Sequence, residues 1–276
     1  MTALLDAFDA QLTPRLARLH QFAADGGLDQ AIDILAECLA HDGVIQAFGT
    51  GHSQAFAMEM AGRAGGFIPT HAMRLEDLVL LGGWPTSALG GSELERDHTI
   101  ADQLYELYDI RAQDAFIIAS NSGANGSTVG LALRAKQEGH PVIAVTSLEH
   151  TGAVVSKHPS GRRLSEVADV VLDNLAPFGD ATLEVPGGIK AGAVSSITAA
   201  YLAQLLTVGT SAKLEAAGVR PPLYLSANIP AGDAHNQALE QAYGARIKPY
   251  APLVGAPAPR DQMPATGAVH PDQDRV

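Results

Sequence analysis

Apolar residues recur over the first forty positions at intervals of three and four. Leu4, Leu5, Phe8, Leu12, Leu16, Leu19 and Phe22 share one helical face, and Leu28, Ala31, Ile32, Leu35 and Leu39 repeat the pattern. This spacing predicts helices over residues 3–24 and 28–40. The pattern then shifts to short unbroken apolar runs, which predict strands at about 43–48, 67–69, 115–119, 141–145 and 168–172. Between them, helices are predicted over 53–63, closed by Gly65-Gly66, and over 99–108 and 128–138. Residues 71–97 resist assignment because Gly82-Gly83, Pro85 and Gly90-Gly91 interrupt every period. Residues 191–217 read as one long helix with an apolar centre at 197–208. Ser195, Ser196, Thr198, Gln204 and Thr207 fall inside it, so a buried core or subunit-interface helix fits better than a membrane span. Short, fully apolar strands alternating with helices mean a parallel sheet covered on both faces.

Composition narrows the class. A chain of 276 residues with 46% apolar and 17% charged residues suits one α/β domain with a two-sided core, and leaves room for a buried subunit interface. Residues 1–248 are assigned to that domain. From 249 onward Pro252, Pro257, Pro259, Pro264 and Pro271 lie among Ala, Gly and Gln, and this segment is expected to be disordered. The formal charge of −12 supplies no basic footprint for nucleic acid or an anionic membrane. Cys38 is the only cysteine, which excludes an intrachain disulfide and a Cys-based zinc cluster. The segment from Met1 to Asp6 lacks the basic and apolar regions of a signal peptide, so a cytoplasmic location is expected.

Candidate chemistry concentrates in two loops. Phe48-Gly49-Thr50-Gly51-His52-Ser53 follows the strand near 43–48, and Ser120-Asn121-Ser122-Gly123-Ala124-Asn125 follows the strand at 115–119. A strand that ends in small residues and turns into a helix offers backbone N–H groups and a helix dipole to an anion. A dinucleotide site needs a third glycine, and a P-loop needs a lysine; both are missing here. The serine hydroxyls instead suit a sugar phosphate.

These residues carry a resemblance to the SIS (sugar isomerase) domain family, in particular to a branch of single-domain bacterial proteins labelled phosphoheptose isomerases. It extends through Glu59, Arg63-Ala64-Gly65-Gly66, Thr146-Ser147-Leu148-Glu149-His150, His158-Pro159-Ser160-Gly161, Gly179-Asp180-Ala181 and Ser226-Ala227-Asn228 to Asp233-Ala234-His235-Asn236. The resemblance implies a three-layer α/β/α sandwich around a five-stranded parallel sheet, of flavodoxin or Rossmann-like type. It also implies a homodimer with sites at the subunit boundary. It puts Ser53, Ser120, Asn121, Ser122 and Asn125 at phosphate-contacting positions, with Gly51, His52 and Gly123 in the same loops. Phosphoheptose isomerases carry a His and a Glu on the helix after the first loop, whereas Glu59 and Arg63 stand here. Their metal is therefore not carried over, and no cofactor is expected.

The implied activity is aldose–ketose isomerisation through an enediol, which needs a base, an acid for ring opening and donors for the oxyanion. Glu59, Glu95, His150 and His235 are the candidate catalytic groups, with Arg63 and Asn228 as further substrate contacts. Against these roles stand ordinary ones: Glu59 paired with Arg63 four residues on, Glu95 on a solvated face, His150 and His235 as helix-end residues. His235 or Asn228 could instead act from a neighbouring subunit. Trp84 and Tyr105 read as packing residues. Two other activities fit the same loops: an etherase-like lyase on a lactyl amino sugar phosphate, and a non-catalytic sugar-phosphate sensor.

Overall fold

A computed structural model describes residues 2–247, so the segment expected to be disordered lies outside the described residues. In chain order the elements are α1 (Thr2–Ala24), α2 (Asp29–Ala40), β1 (Ile45–Gly49), α3 (Gln54–Met60), β2 (Thr70–Met73), α4 (Asp77–Leu80), α5 (Glu93–Arg96) and α6 (Ile100–Glu106). There follow β3 (Ala115–Ala119), α7 (Gly126–Gln137), β4 (Val142–Thr146), α8 (Leu148–Ala153), α9 (Leu164–Val167), β5 (Val170–Asp173), β6 (Ala181–Val185), β7 (Ile189–Ala193), α10 (Ser195–Ala216) and α11 (Gly232–Tyr243). Five strands form one parallel sheet in the order β2-β1-β3-β4-β5.

Every residue of β1, β3 and β4 is buried, because side chains alternate between two separate cores. Ile45, Ala47, Ile117, Ile143 and Val145 face α1, α2, α3 and α10. Phe48, Phe116, Ile118, Val142 and Ala144 face α4, α6, α7 and α9, where Trp84 and Tyr105 also pack. The result is the expected three-layer sandwich. The strand order reverses between β1 and β3, and their register pairs Gly49 with Ala119. Open α/β sheets bind ligands outside the carboxyl ends of the strands at such a switch point. Both serine loops therefore leave the sheet side by side at the position where binding is expected.

Several boundaries differ from the sequence expectation. The strand expected at 67–69 forms at Thr70–Met73 instead, since Pro69 has no N–H for a ladder. Phe67 bridges Leu223 in antiparallel fashion, and Ile68 N–H donates to the Pro222 carbonyl at 2.8 Å. Helix α3 stops at Met60, with extended backbone at Ala61 and φ +73° at Gly62, so Arg63 lies beyond it rather than on it. A two-stranded hairpin, β6–β7, was not expected. It turns at Gly187-Gly188 and occupies residues 189–193, which shortens the helix expected over 191–217. No helix among the described residues is long and apolar enough to cross a membrane.

The amino edge of the sheet is closed by a buried ion pair. Asp114 accepts from Val44 N–H (2.9 Å), Gln46 Nε2 (3.1 Å), Arg111 N–H (3.1 Å) and Arg246 Nη2 (2.6 Å). Arg246 also donates to the carbonyls of Asp42 and Asp109, and so ties the residues after α11 to the sheet.

Candidate functional site

The two loops use glycine where the backbone turns left-handed. Gly51 has φ +54° and Gly123 has φ +58°. A Cβ at these positions would also lie 3.0 Å from Glu95 Oε1 and 2.9 Å from Thr151 Oγ1, respectively. In the first loop a 3-10 turn, Gly51–Ser53, leads into α3, and the Ser53 hydroxyl does not cap that helix. In the second, Ser120 Oγ accepts from Gly123 N–H at 3.1 Å and Ser122 Oγ accepts from Ala124 N–H at 3.4 Å. A hydroxyl that accepts in this way keeps its own hydrogen to donate. His52, Ser53, Ser120 and Asn121 line one narrow crevice between the loops. Ser122, Gly123 and Asn125 belong to the second loop but do not line it.

Three residues that the sequence did not single out complete the crevice: Asn174, at the carboxyl end of β5, and Ser195 and Ser196, at the start of α10. The positive end of α10 is already occupied by a carboxylate. Asp180 accepts from Val194 N–H (3.0 Å), Ser195 N–H (2.8 Å) and Ser195 Oγ (2.6 Å). With those groups taken by Asp180, the two loops and Ser196 are left to offer donors to a bound anion.

Glu95 lies across the first loop from this crevice. It lines a cavity of about 170 Å³ together with Thr50, Gly51, Gln54 and Glu76. Its Oε2 accepts from Asn125 Nδ2 at 3.2 Å, and Asn125 Oδ1 accepts from Lys157 Nζ at 3.1 Å. Asn125 is thus held between a carboxylate and an ammonium, and Lys157 is a further residue that the sequence did not single out. His150 is in the first turn of α8, where Ser147 Oγ caps its N–H at 3.0 Å. Its Nδ1 accepts from Asn121 Nδ2 (3.5 Å) and from Gly179 N–H (3.4 Å), and its ring packs on Phe178 at 5.1 Å. Glu95 and His150 therefore flank the two ends of the second loop.

The other candidates are placed elsewhere. Phe56 on α3 reaches the crevice, but Glu59 points to α10, where it accepts from Gln204 Nε2 at 2.7 Å and pairs with Arg63. His235 Nε2 bonds the Leu223 carbonyl at 2.9 Å. Because Leu223 pairs with Phe67, ahead of β2, His235 stands near the amino edge of its own sheet, opposite the loops. Asn228 is exposed on the segment leading to α11. Among the described residues no three His, Cys, Asp or Glu side chains converge.

One buried polar cluster lies outside the site. His71 Nδ1 meets Gln46 Oε1 at 3.1 Å, and its ring packs edge-on against Tyr108 at 4.5 Å. The Tyr108 hydroxyl donates to Asp77. Burial, helped by the Arg74 charge, pushes the His71 imidazole down to about 4.

Residues 7–147 match the family described as the SIS domain. A protein of Geobacillus thermodenitrificans, named only as UPF0309 protein, is 34% identical over 245 residues, which cover 88% of this chain and 96% of that one. UPF0309 protein lin2794 of Listeria innocua is 37% identical over 222 residues, 80% of this chain and 87% of the other. Among solved structures, a phosphoheptose isomerase from Francisella tularensis superposes with TM-score 0.48 at 18% identity, over 76% of this chain and 98% of its own.

Proposed function

The chain belongs to the SIS domain family, and on that premise we propose that it binds a phosphorylated sugar and interconverts its aldose and ketose forms. The observation that carries this reading is the pair of serine loops leaving neighbouring strands at the switch point, with a carboxylate and an imidazole at either end of the second loop. Ser53 and Ser120, with backbone N–H groups of both loops, hold the phosphate. The crevice encloses only about 10 Å³, and the exposed His52 and Ser196 lie on its lining.

Isomerisation moves a proton between C1 and C2 and a second proton between the two oxygens. Glu95 is the better base, because it borders the roomy cavity beside the first loop while Glu59 is committed to Arg63 and Gln204. His150 serves the oxygens. Incubation with a panel of pentose, hexose and heptose phosphates in D2O should place deuterium at C2 of a turned-over sugar. Glu95→Gln should slow that exchange by about a hundredfold or more, and Glu59→Gln by far less. No exchange with any member of the panel would remove the isomerase reading.

We propose in addition that two copies associate through α10. Ile197 and Val208 lie on one side of that helix and are 40% and 68% exposed, an apolar stripe suited to a self-complementary contact.

A further inference from the structure

Asn174 is 3% exposed and directly follows β5, where its N–H extends the ladder to the Thr146 carbonyl at 2.9 Å. Its Oδ1 accepts from Ala176 N–H at 3.0 Å. A backbone N–H can only donate, so this contact fixes which end of the Asn174 amide is oxygen. Nδ2 is thereby turned to Asn121 Oδ1, at 3.2 Å. That in turn fixes the Asn121 amide, whose Nδ2 points at His150 Nδ1 at 3.5 Å. Gly179 N–H reaches the same ring nitrogen at 3.4 Å. A hydrogen on Nδ1 would set N–H against N–H twice, so the neutral ring carries its hydrogen on Nε2. Both contacts to Nδ1 are long, as hydrogen bonds in unliganded sites often are before substrate tightens them.

We propose that Asn174 is a positioning residue: through Asn121 it holds His150 in the Nε2–H tautomer, which makes the ring a hydrogen-bond donor toward the bound ligand and not a base at that nitrogen. Every link runs in one direction, from the Ala176 N–H through two amides to the imidazole. This rests on the sugar-phosphate reading only for what Nε2–H meets; the tautomer is a property of the free protein. In the reaction the ring donates to a sugar oxygen as negative charge develops there, while the C–H proton is handled by a carboxylate.

The test is nitrogen NMR of protein labelled with 15N-histidine, with the His150 signals assigned by their loss in His150→Gln. Free wild-type protein should show one pyridine-like and one pyrrole-like ring nitrogen, with the ring C–H couplings identifying Nε2 as protonated. Asn174→Asp keeps the acceptor for Ala176 N–H but loses the donor to Asn121, and should give averaged or inverted signals. If that variant does not fold, Asn121→Asp breaks the next link and should do the same. A wild-type ring protonated at Nδ1, or a folded Asn174→Asp protein with the wild-type pattern, overturns the proposal. In turnover, Asn174→Asp should lower kcat by about tenfold or more, and KM should rise with it, because Asn174 lines the crevice and its partner Asn121 belongs to the second serine loop. A purely structural role would lower only the apparent kcat, through loss of folded protein, and would leave KM and the tautomer of the folded protein unchanged. An Nε2–H ring in a protein that turns over no sugar phosphate would support the relay while removing the isomerase reading.

Discussion

Glu59 and Glu95 show how much a side chain's partners decide. Both are glutamates near the first loop, yet one is tied to Arg63 and Gln204 while the other rests against Gly51 and Asn125. Ser53, Ser120 and Asn121 are readable in the sequence because small polar residues after an apolar strand leave few other roles. Asn174 is not, since Asp173-Asn174-Leu175-Ala176 carries no glycine or serine signature and its function depends on which amide it faces. At this scale the buried His71 makes a pH prediction. Its folded value of about 4 lies below the ordinary 6.5, so under acid the unfolded chain takes up a proton that the folded protein refuses. The contribution is fully present above pH 6.5 and is lost as pH falls toward 4, by up to about 3 kcal/mol. Urea unfolding at pH 7.5 and pH 5 should show a smaller loss of stability in His71→Gln than in the wild type; equal losses would mean that another group sets the slope.

Among the elements, those with a strong local period were legible. The helices of the first forty residues, the strands at 115–119 and 142–146 and the loops after β1 and β3 lie within a few residues of their predicted places. The β6–β7 hairpin was not, because its residues are mostly exposed or half-buried and so carry weak alternation. The contact of residues 222–224 with 65–68 was also invisible, since nothing local joins segments about 150 residues apart. The Arg246–Asp114 pair belongs to the same class. Removing the guanidinium leaves a buried carboxylate short of its charged partner, so Arg246→Met should cost about 3 to 5 kcal/mol in urea unfolding. A cost under about 1 kcal/mol would mean that the residues after α11 are not anchored by this pair.

At the scale of the whole molecule, the sheet order brings together two loops that lie about 70 residues apart in sequence, and it separates them from His235 and Asn228 within one chain. If the α10 stripe is covered by a second copy, Val208→Asp should convert a dimer in light scattering to a monomer, while a wild-type monomer would remove that interface. The phosphate site is tested most directly by titration calorimetry with an aldose phosphate that is turned over and with the same sugar lacking its phosphate. The wild type should bind only the phosphorylated form, and Ser53→Ala and Ser120→Ala should each weaken that binding about tenfold or more, the loss of one hydrogen bond to a charged group. Equal binding of both sugars, or unchanged affinity in both variants, would show that these loops do not hold a phosphate.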